Sequence, residues 1–197
     1  VPKALALPRG AGAERLGGKV TGQPDLSVRE LQASDLDAYK ALRDHALAHH
    51  EEAFNSDAPT EAKRSAQSYA SRLGGSNTNG GFTLGAFRGD RLVGAVALER
   101  DPRIKVRHIG HVIGTMVQAD EIGRGVGRAL MDALIARASA DAELQQLTLT
   151  VTAGNAAAER LYARAGFVVF GTQPRAIRVG ERFLDKQHMV LNLPKLS

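Results

Sequence analysis

The sequence predicts an α/β fold of the mixed α+β kind, a central mixed sheet carrying helices on both faces. Three observations predict it. Short strand-like runs and helical runs interleave from Leu26 onward; the passage from 109–117 to 147–151 encloses a helix and so forms a parallel crossover; and the chain closes on two strands joined by a tight turn. A chain of 197 residues that is 43% hydrophobic buries one ordinary core, which gives a single domain over 26–195. Residues 1–25, rich in Gly, Ala and Pro, show no periodicity until Leu26 and are expected to be a flexible leader.

The elements follow in order. A short strand at 26–30 leads to Ser34 or Asp35, which caps a helix running through Tyr39, Leu42 and Leu47. His45, His49 and His50 lie on or just after it. They form no HExxH and meet no carboxylate placed to complete a site, so they read as a solvated helix end, and no metal is expected. A second helix is expected over 60–73, and the stretch GGSNTNGG at 74–81 permits only a loop. Strands at 82–87 and 91–99 join through Arg88-Gly89-Asp90. The basic run Arg103, Lys105, Arg107 precedes a strand at 108–117. A helix at 127–140, a strand at 147–151 (LTLTV) and a helix at 155–165 with Asn155 as N-cap come next. Strands at 167–178 and 181–193, turning at Val179-Gly180, end the chain, and no internal repeat is present.

Composition narrows the function classes. The net charge of +5 comes from basic residues scattered among 21 acidic ones, which suits an anionic small ligand as well as it suits nucleic acid. Nucleic-acid binding also wants aromatics interleaved with the basic residues, and the chain has three tyrosines, six phenylalanines and no tryptophan, so no nucleic-acid partner is expected. Without cysteine there is no disulfide framework, no thiolate nucleophile and no cysteine-ligated metal, which fits a reducing cytoplasm. No apolar run reaches membrane length and no signal-peptide core opens the sequence, so neither a membrane partner nor export is expected.

The most informative passage is 109–135, which reads strand, loop, helix: IGHVIGTMV, QADEIGRGVG, RALMDALIARA. Gly123, Gly125 and Gly127 let main-chain N–H groups converge without a Cβ in the way, at the positive end of the helix dipole. Such a nest binds anions and suits phosphate, and Arg124 and Arg128 add formal charge beside it. The spacing is G-x-G-x-G rather than the dinucleotide fingerprint, LTLTV does not end in a ribose-binding acid, and no Gly-Lys-Ser or Gly-Lys-Thr follows the loop. A phosphorylated cofactor other than a dinucleotide or nucleoside triphosphate is the resulting expectation.

Two blocks carry a family resemblance. VQADEIGRGVGRALMDALI resembles the pyrophosphate loop of the GNAT superfamily of acyl-CoA-dependent N-acetyltransferases, with Ile122, Gly125 and Gly127 on its three defined positions and Ile122 standing where Gln or Arg is usual. LTVTAGNAAAERLYARAGFVVFG resembles that superfamily's second block through Asn155, Leu161, Tyr162, Gly166 and Phe167. The resemblance implies a mostly antiparallel sheet in which two parallel strands splay apart. It implies acetyl-CoA as co-substrate, its diphosphate on Ile122, Gly123, Arg124, Gly125, Val126, Gly127 and Arg128, and its pantetheine arm beside Met116, Val117, Asn155 and Tyr162.

The implied reaction is acetyl transfer to a primary amine by direct attack in a ternary complex. A main-chain N–H near Met116 or Val117 would polarise the carbonyl, and Tyr162 would be the general acid. The family's histone acetyltransferases place a glutamate eleven residues before the position of Ile122; here that residue is His111, the candidate base, on a face that a bulge would change. His108, Glu99 and Asp185 are weaker candidates for relay or amine binding. The acceptor pocket would draw on about 45–73 and 172–186, where Glu51, Glu52 and Asp185 would attract a cationic amine. The acceptor is a small-molecule or peptide amine, and a homodimer, common in the family, stays open. The alternative reading is a non-catalytic acyl-CoA-binding sensor of the same fold.

Overall fold

The structure is a computed structural model that describes residues 25–74 and 80–194. The leader expected over 1–25 falls, apart from Asp25, outside the described residues, as do 75–79 of the expected loop and Lys195 at the end of the expected domain. Among the described residues seven strands form: β1 Leu26–Glu30, β2 Phe82–Arg88, β3 Arg91–Arg100, β4 Ile109–Val117, β5 Gln146–Thr152, β6 Val168–Val179 and β7 Arg182–Asn192. They make one sheet in the order β1-β2-β3-β4-β5-β7-β6. Only β4 and β5 run parallel; every other neighbouring pair is antiparallel.

The helices are α1 Leu36–His49, α2 Ala58–Ala62, α3 Val126–Ser139 and α4 Ala156–Arg164. In α3 the buried residues Val126, Leu130, Met131, Leu134 and Ala138 recur every three to four positions, which gives the helix one apolar stripe. That stripe meets Val93, Val96, Leu98, Val112 and Leu147 on one face of the sheet, where Tyr162 and Phe167 also pack. The opposite face is covered by α1 and a 3₁₀ turn at Ala66–Arg72, which bury Tyr39, Leu42, Tyr69 and Leu73 against Leu92, Ala95 and Met116. Asn155 caps α4 as the sequence predicts, its side chain accepting from the Ala158 N–H at 3.2 Å.

The single helix expected over 60–73 does not form. Asp57 caps the short α2 by accepting from the Thr60 N–H at 2.9 Å, and after Ala62 the chain breaks before the 3₁₀ turn. The cause is a buried polar network. Residues eight apart on a continuous helix stand about 12 Å apart along its axis. Here the Tyr69 hydroxyl donates to Glu61 at 2.5 Å, and Glu61 accepts from Arg43 of α1 at 2.8 Å. Satisfying a buried carboxylate outweighs local helix propensity, and the segment folds back to do it.

β4 and β5 pair only over Ile109–His111 against Gln146–Thr148, then part. Between the pairs Ala97↔Ile113 and Ala95↔Met116, two residues of β4, Gly114 and Thr115, oppose the single Val96 of β3. This is a β-bulge, and Gly114 takes the φ of +60° that it requires. The bulge bends β4 away from β5. It also shifts the side-chain alternation: Val112 packs on the α3 face, so His111 lies on the α1 face together with Met116, and strict alternation with Val117 does not hold.

Candidate active site

Past β4 the chain makes a 3₁₀ turn at Ala119–Glu121, where the buried Glu121 carboxylate accepts from Arg88 at 3.3 Å and its carbonyl accepts from the Arg124 N–H at 3.2 Å. This anchors the glycine loop from below. Gly123 and Gly125 have φ of +80° and +83°, and a Cβ at either would meet nothing within 4 Å. Glycine is therefore required there by backbone conformation, and the space above the loop is open. Gly125 is the N-cap of α3 and supplies no side-chain acceptor, so the first-turn N–H groups of the helix lack a side-chain cap. An open left-handed nest at an uncapped helix N-terminus fits a diphosphate.

The remaining loop residues play unequal parts. A Cβ on Gly127 would come within 3.2 Å of Leu161 and 3.8 Å of Val117, so its glycine allows α3 and α4 to approach beside β4. Ile122, at 55% exposure, presents an apolar side chain to solvent. Arg124 is exposed, while Arg128 donates to Asp132 at 2.7 Å and shares its charge with that carboxylate. The Gln118 N–H donates to the Val93 carbonyl at 2.8 Å; because N–H directions alternate along an extended strand, the Val117 N–H turns away from β3 toward the gap.

The gap between β4 and β5 opens into a cleft of about 290 Å³, walled by Val112–Thr115, Thr150–Thr152, the N-cap Asn155 and the α4 residues Ala158 and Tyr162. Tyr162 is 8% exposed and packs edge-on against Phe167. Burial pushes its hydroxyl above the ordinary tyrosine range, a hydrogen bond with Thr115 offsetting part of the effect. It is protonated at neutral pH and can serve as an acid. The Thr152 hydroxyl donates to the Glu52 carbonyl at 2.6 Å, tying the turn at 51–53 to the end of β5.

The other sequence candidates are dispersed. His111 is exposed, opposes Glu99 in register, and holds Thr148 Oγ1 at 2.8 Å through Nδ1; it does not line the cleft. His108 borders a separate pocket with Arg107 and Glu143. Asp185 accepts from the Arg175 N–H at 2.8 Å and so steadies a bulge in β6 where Arg175 has φ of +53°. Glu51 and Glu52 are exposed and stand outside the cleft. Its charged lining is instead Arg43, Arg72 and Lys186. The acidic residues expected around the acceptor are thus not in this cleft, whose charged side chains are cationic. Only the buried position of Lys186 on β7 distinguishes it from a surface lysine, and no local motif announces it.

Among the described residues no helix is long and apolar enough to cross a membrane, and no group of three His, Cys, Asp or Glu side chains is placed to hold a metal ion.

Comparison with known proteins bears on this geometry. Residues 39–167 match the model of the acetyltransferase (GNAT) family. Two L-methionine sulfoximine/L-methionine sulfone acetyltransferases, from Pseudomonas paraeruginosa and Pseudomonas aeruginosa, are each 39% identical over 77 residues, which is 39% of this chain and 44% of theirs. The match thus spans less than half the length of these curated relatives. The GNAT-family acetyltransferase of Streptococcus pneumoniae superposes with a TM-score of 0.72 at 27% identity, over 86% of this chain and 100% of that one. The phosphinothricin acetyltransferase of Sinorhizobium meliloti, in complex with acetyl-CoA, shares the fold with a TM-score of 0.72 at 18% identity, over 85% and 88% of the two chains.

Proposed function

The chain belongs to the acetyltransferase (GNAT) family, and on that premise we propose that it transfers an acetyl group from acetyl-CoA to the primary amine of a small acceptor bound between β4 and β5. The observation that carries this reading is the divergence of the two parallel strands, with an uncapped α3 N-terminus beyond the tip of β4 and a buried tyrosine hydroxyl on the cleft wall.

The residues divide the work. Main-chain N–H groups over 123–128, apart from that of Arg124, hold the diphosphate, with Ile122 flanking them and the Arg124 and Arg128 side chains adding charge. The open edge of β4 at Met116 and Val117 and the end of β5 flank the pantetheine arm, an arrangement equivalent to strand addition, with Asn155 and Tyr162 on the α4 side. The acceptor nitrogen attacks the thioester carbonyl carbon while the Val117 N–H stabilises the developing oxyanion. The carbon–sulfur bond breaks, and the Tyr162 hydroxyl gives its proton to the departing sulfur. The proton shed by the amine passes through water to His111, which sits on the α1 side of β4. A cytoplasmic setting suits a chain without cysteine. The size of the cleft and the names of the Pseudomonas relatives support a small molecule over a protein as acceptor.

Turnover of acetyl-CoA across a panel of amines, followed by the mass of the product, tests the reading. The expected result is a product heavier by one acetyl group, with free coenzyme A formed in equal amount. Saturable acetyl-CoA binding with no acetylated product from any amine would overturn it in favour of a sensor.

A further inference from the structure

We propose that the acceptor amine carries a carboxylate and that Lys186 and Arg72 bind it; the proposal rests on the acetyl-transfer reading and names the substrate class of that site. Among the described residues, three cationic side chains and no carboxylate line the cleft. Of the three, Arg43 is neutralised: it donates to Glu61 at 2.8 Å and to Ser56 at 3.2 Å, and belongs to the network that shapes the segment after α2. Arg72 has no ion pair among the described residues; its guanidinium lies 5.8 Å from the Tyr69 ring centroid.

Lys186 is the more telling group. It sits on β7 opposite Thr152 at the open end of β5, is 7% exposed, and has no carboxylate partner among the described residues. Its Nζ donates to the side-chain oxygen of Asn55, a neutral amide, which occupies one of three donors. A neutral donor would serve Asn55 equally well, so the hydrogen bond alone gives no reason for a charge. Burial disfavours that charge and pulls the lysine below its ordinary range. An ammonium retained under that penalty at a cleft wall is compensated when an anion enters. The anion is distinct from the diphosphate, because no residue of 118–128 lines this cleft. The planar fork of Arg72 and the remaining donors of Lys186 together match a carboxylate held close to the reacting amine. A volume of about 290 Å³, part of it needed for the thioester end, suits an acceptor of amino-acid size.

The test uses the full chain, acetyl-CoA and a panel of L-amino acids, each compared with its amide and with its decarboxylated amine. The expected result is a kcat/KM for the best acid roughly 10- to 100-fold above its two matched analogues, the scale of hydrogen bonds to a charged group. Lys186→Met lowers kcat/KM for the acid by a similar factor, chiefly through KM, and largely erases the preference, whereas Lys186→Arg restores part of it. Arg72→Gln acts in the same direction. Equilibrium binding of acetyl-CoA to each variant verifies that the fold and the diphosphate site are intact. Equal or better turnover of the amides or decarboxylated amines would overturn the proposal while leaving acetyl transfer standing, as would an undiminished preference for the acid in Lys186→Met. Failure to bind acetyl-CoA, or to acetylate any amine, would instead remove the parent reading and this proposal with it.

Discussion

The two ends of the proposed site are built by opposite means. At the β4–α3 end the groups proposed to face the ligand are main-chain amides, gathered within the few residues from Gly123 to Arg128 by two left-handed glycines. At the proposed acceptor end they are side chains, Arg72 from the 3₁₀ turn and Lys186 from β7 beside the paired Arg43 of α1, brought together only when the sheet closes. The contrast teaches where each end is fragile. A single backbone conformation sustains the first, whereas the second depends on tertiary contacts such as Glu61 with Arg43 and Tyr69, and Lys186 with Asn55.

The sharpest break falls on the main-chain end. Gly125→Glu places a carboxylate in the nest and forces an L side chain into a φ of +83°. Acetyl-CoA binding, read by calorimetry, is expected to vanish, while the fold loses only about 1–2 kcal/mol from the strained φ. Unchanged affinity in a folded Gly125→Glu protein would show that the loop does not hold the diphosphate. Tyr162→Phe tests the junction of the two ends. It is expected to lower kcat about 100-fold, the scale of losing a general acid, with acetyl-CoA affinity nearly constant. Full activity would reduce Tyr162 to a packing role.

The acceptor end breaks through stability instead. Arg43 and Glu61 are 6% and 5% exposed, and removing one member of such a pair leaves the other buried and uncompensated. Glu61→Gln should cost about 3 kcal/mol in denaturant unfolding and alter acetyl-CoA affinity little. An unchanged midpoint would mean that the network does not hold this wall. The same residue sets an acid dependence. Burial opposes ionisation of Glu61, but hydrogen bonds from Tyr69 and Arg43 outweigh it and hold its carboxyl below the usual range. Its contribution is therefore fully present above the unfolded-state value of about 4.3 and is lost as pH falls through the lower folded-state value. Wild-type stability should fall more steeply below about pH 4 than that of Glu61→Gln. The smallest effect is expected from His111→Ala, which should reduce turnover modestly by removing one proton acceptor. Unchanged turnover would leave water alone as the proton acceptor.

The same contrast explains what could be read from the sequence. The succession of strands and helices along the chain, the glycine loop and the Asn155 cap rest on local chemistry, so spacing and turn residues disclose them. The division of 60–73 was hidden because Glu61, Tyr69 and Arg43 meet only in three dimensions, and their network overrides a plausible helical pattern. Gly114 is the one local hint of the bulge that opens the cleft, since glycine inside a strand often marks such a site. Lys186 gives no hint at all. In sequence it is one lysine on a strand of alternating character, and its burial comes from β5 on one side and the turn carrying Asn55 on the other. Asp185, one residue earlier, looks equally functional in sequence yet serves the β6 bulge.

Main-chain amide resonances of isotope-labelled protein, followed while acetyl-CoA is titrated in, test the central claim most directly. The expected result is a saturable set of shifts concentrated on Gly123–Arg128 and on Thr115–Val117 along the open edge of β4. Saturable binding that leaves those amides unmoved and shifts another surface, or no binding at all, would contradict it.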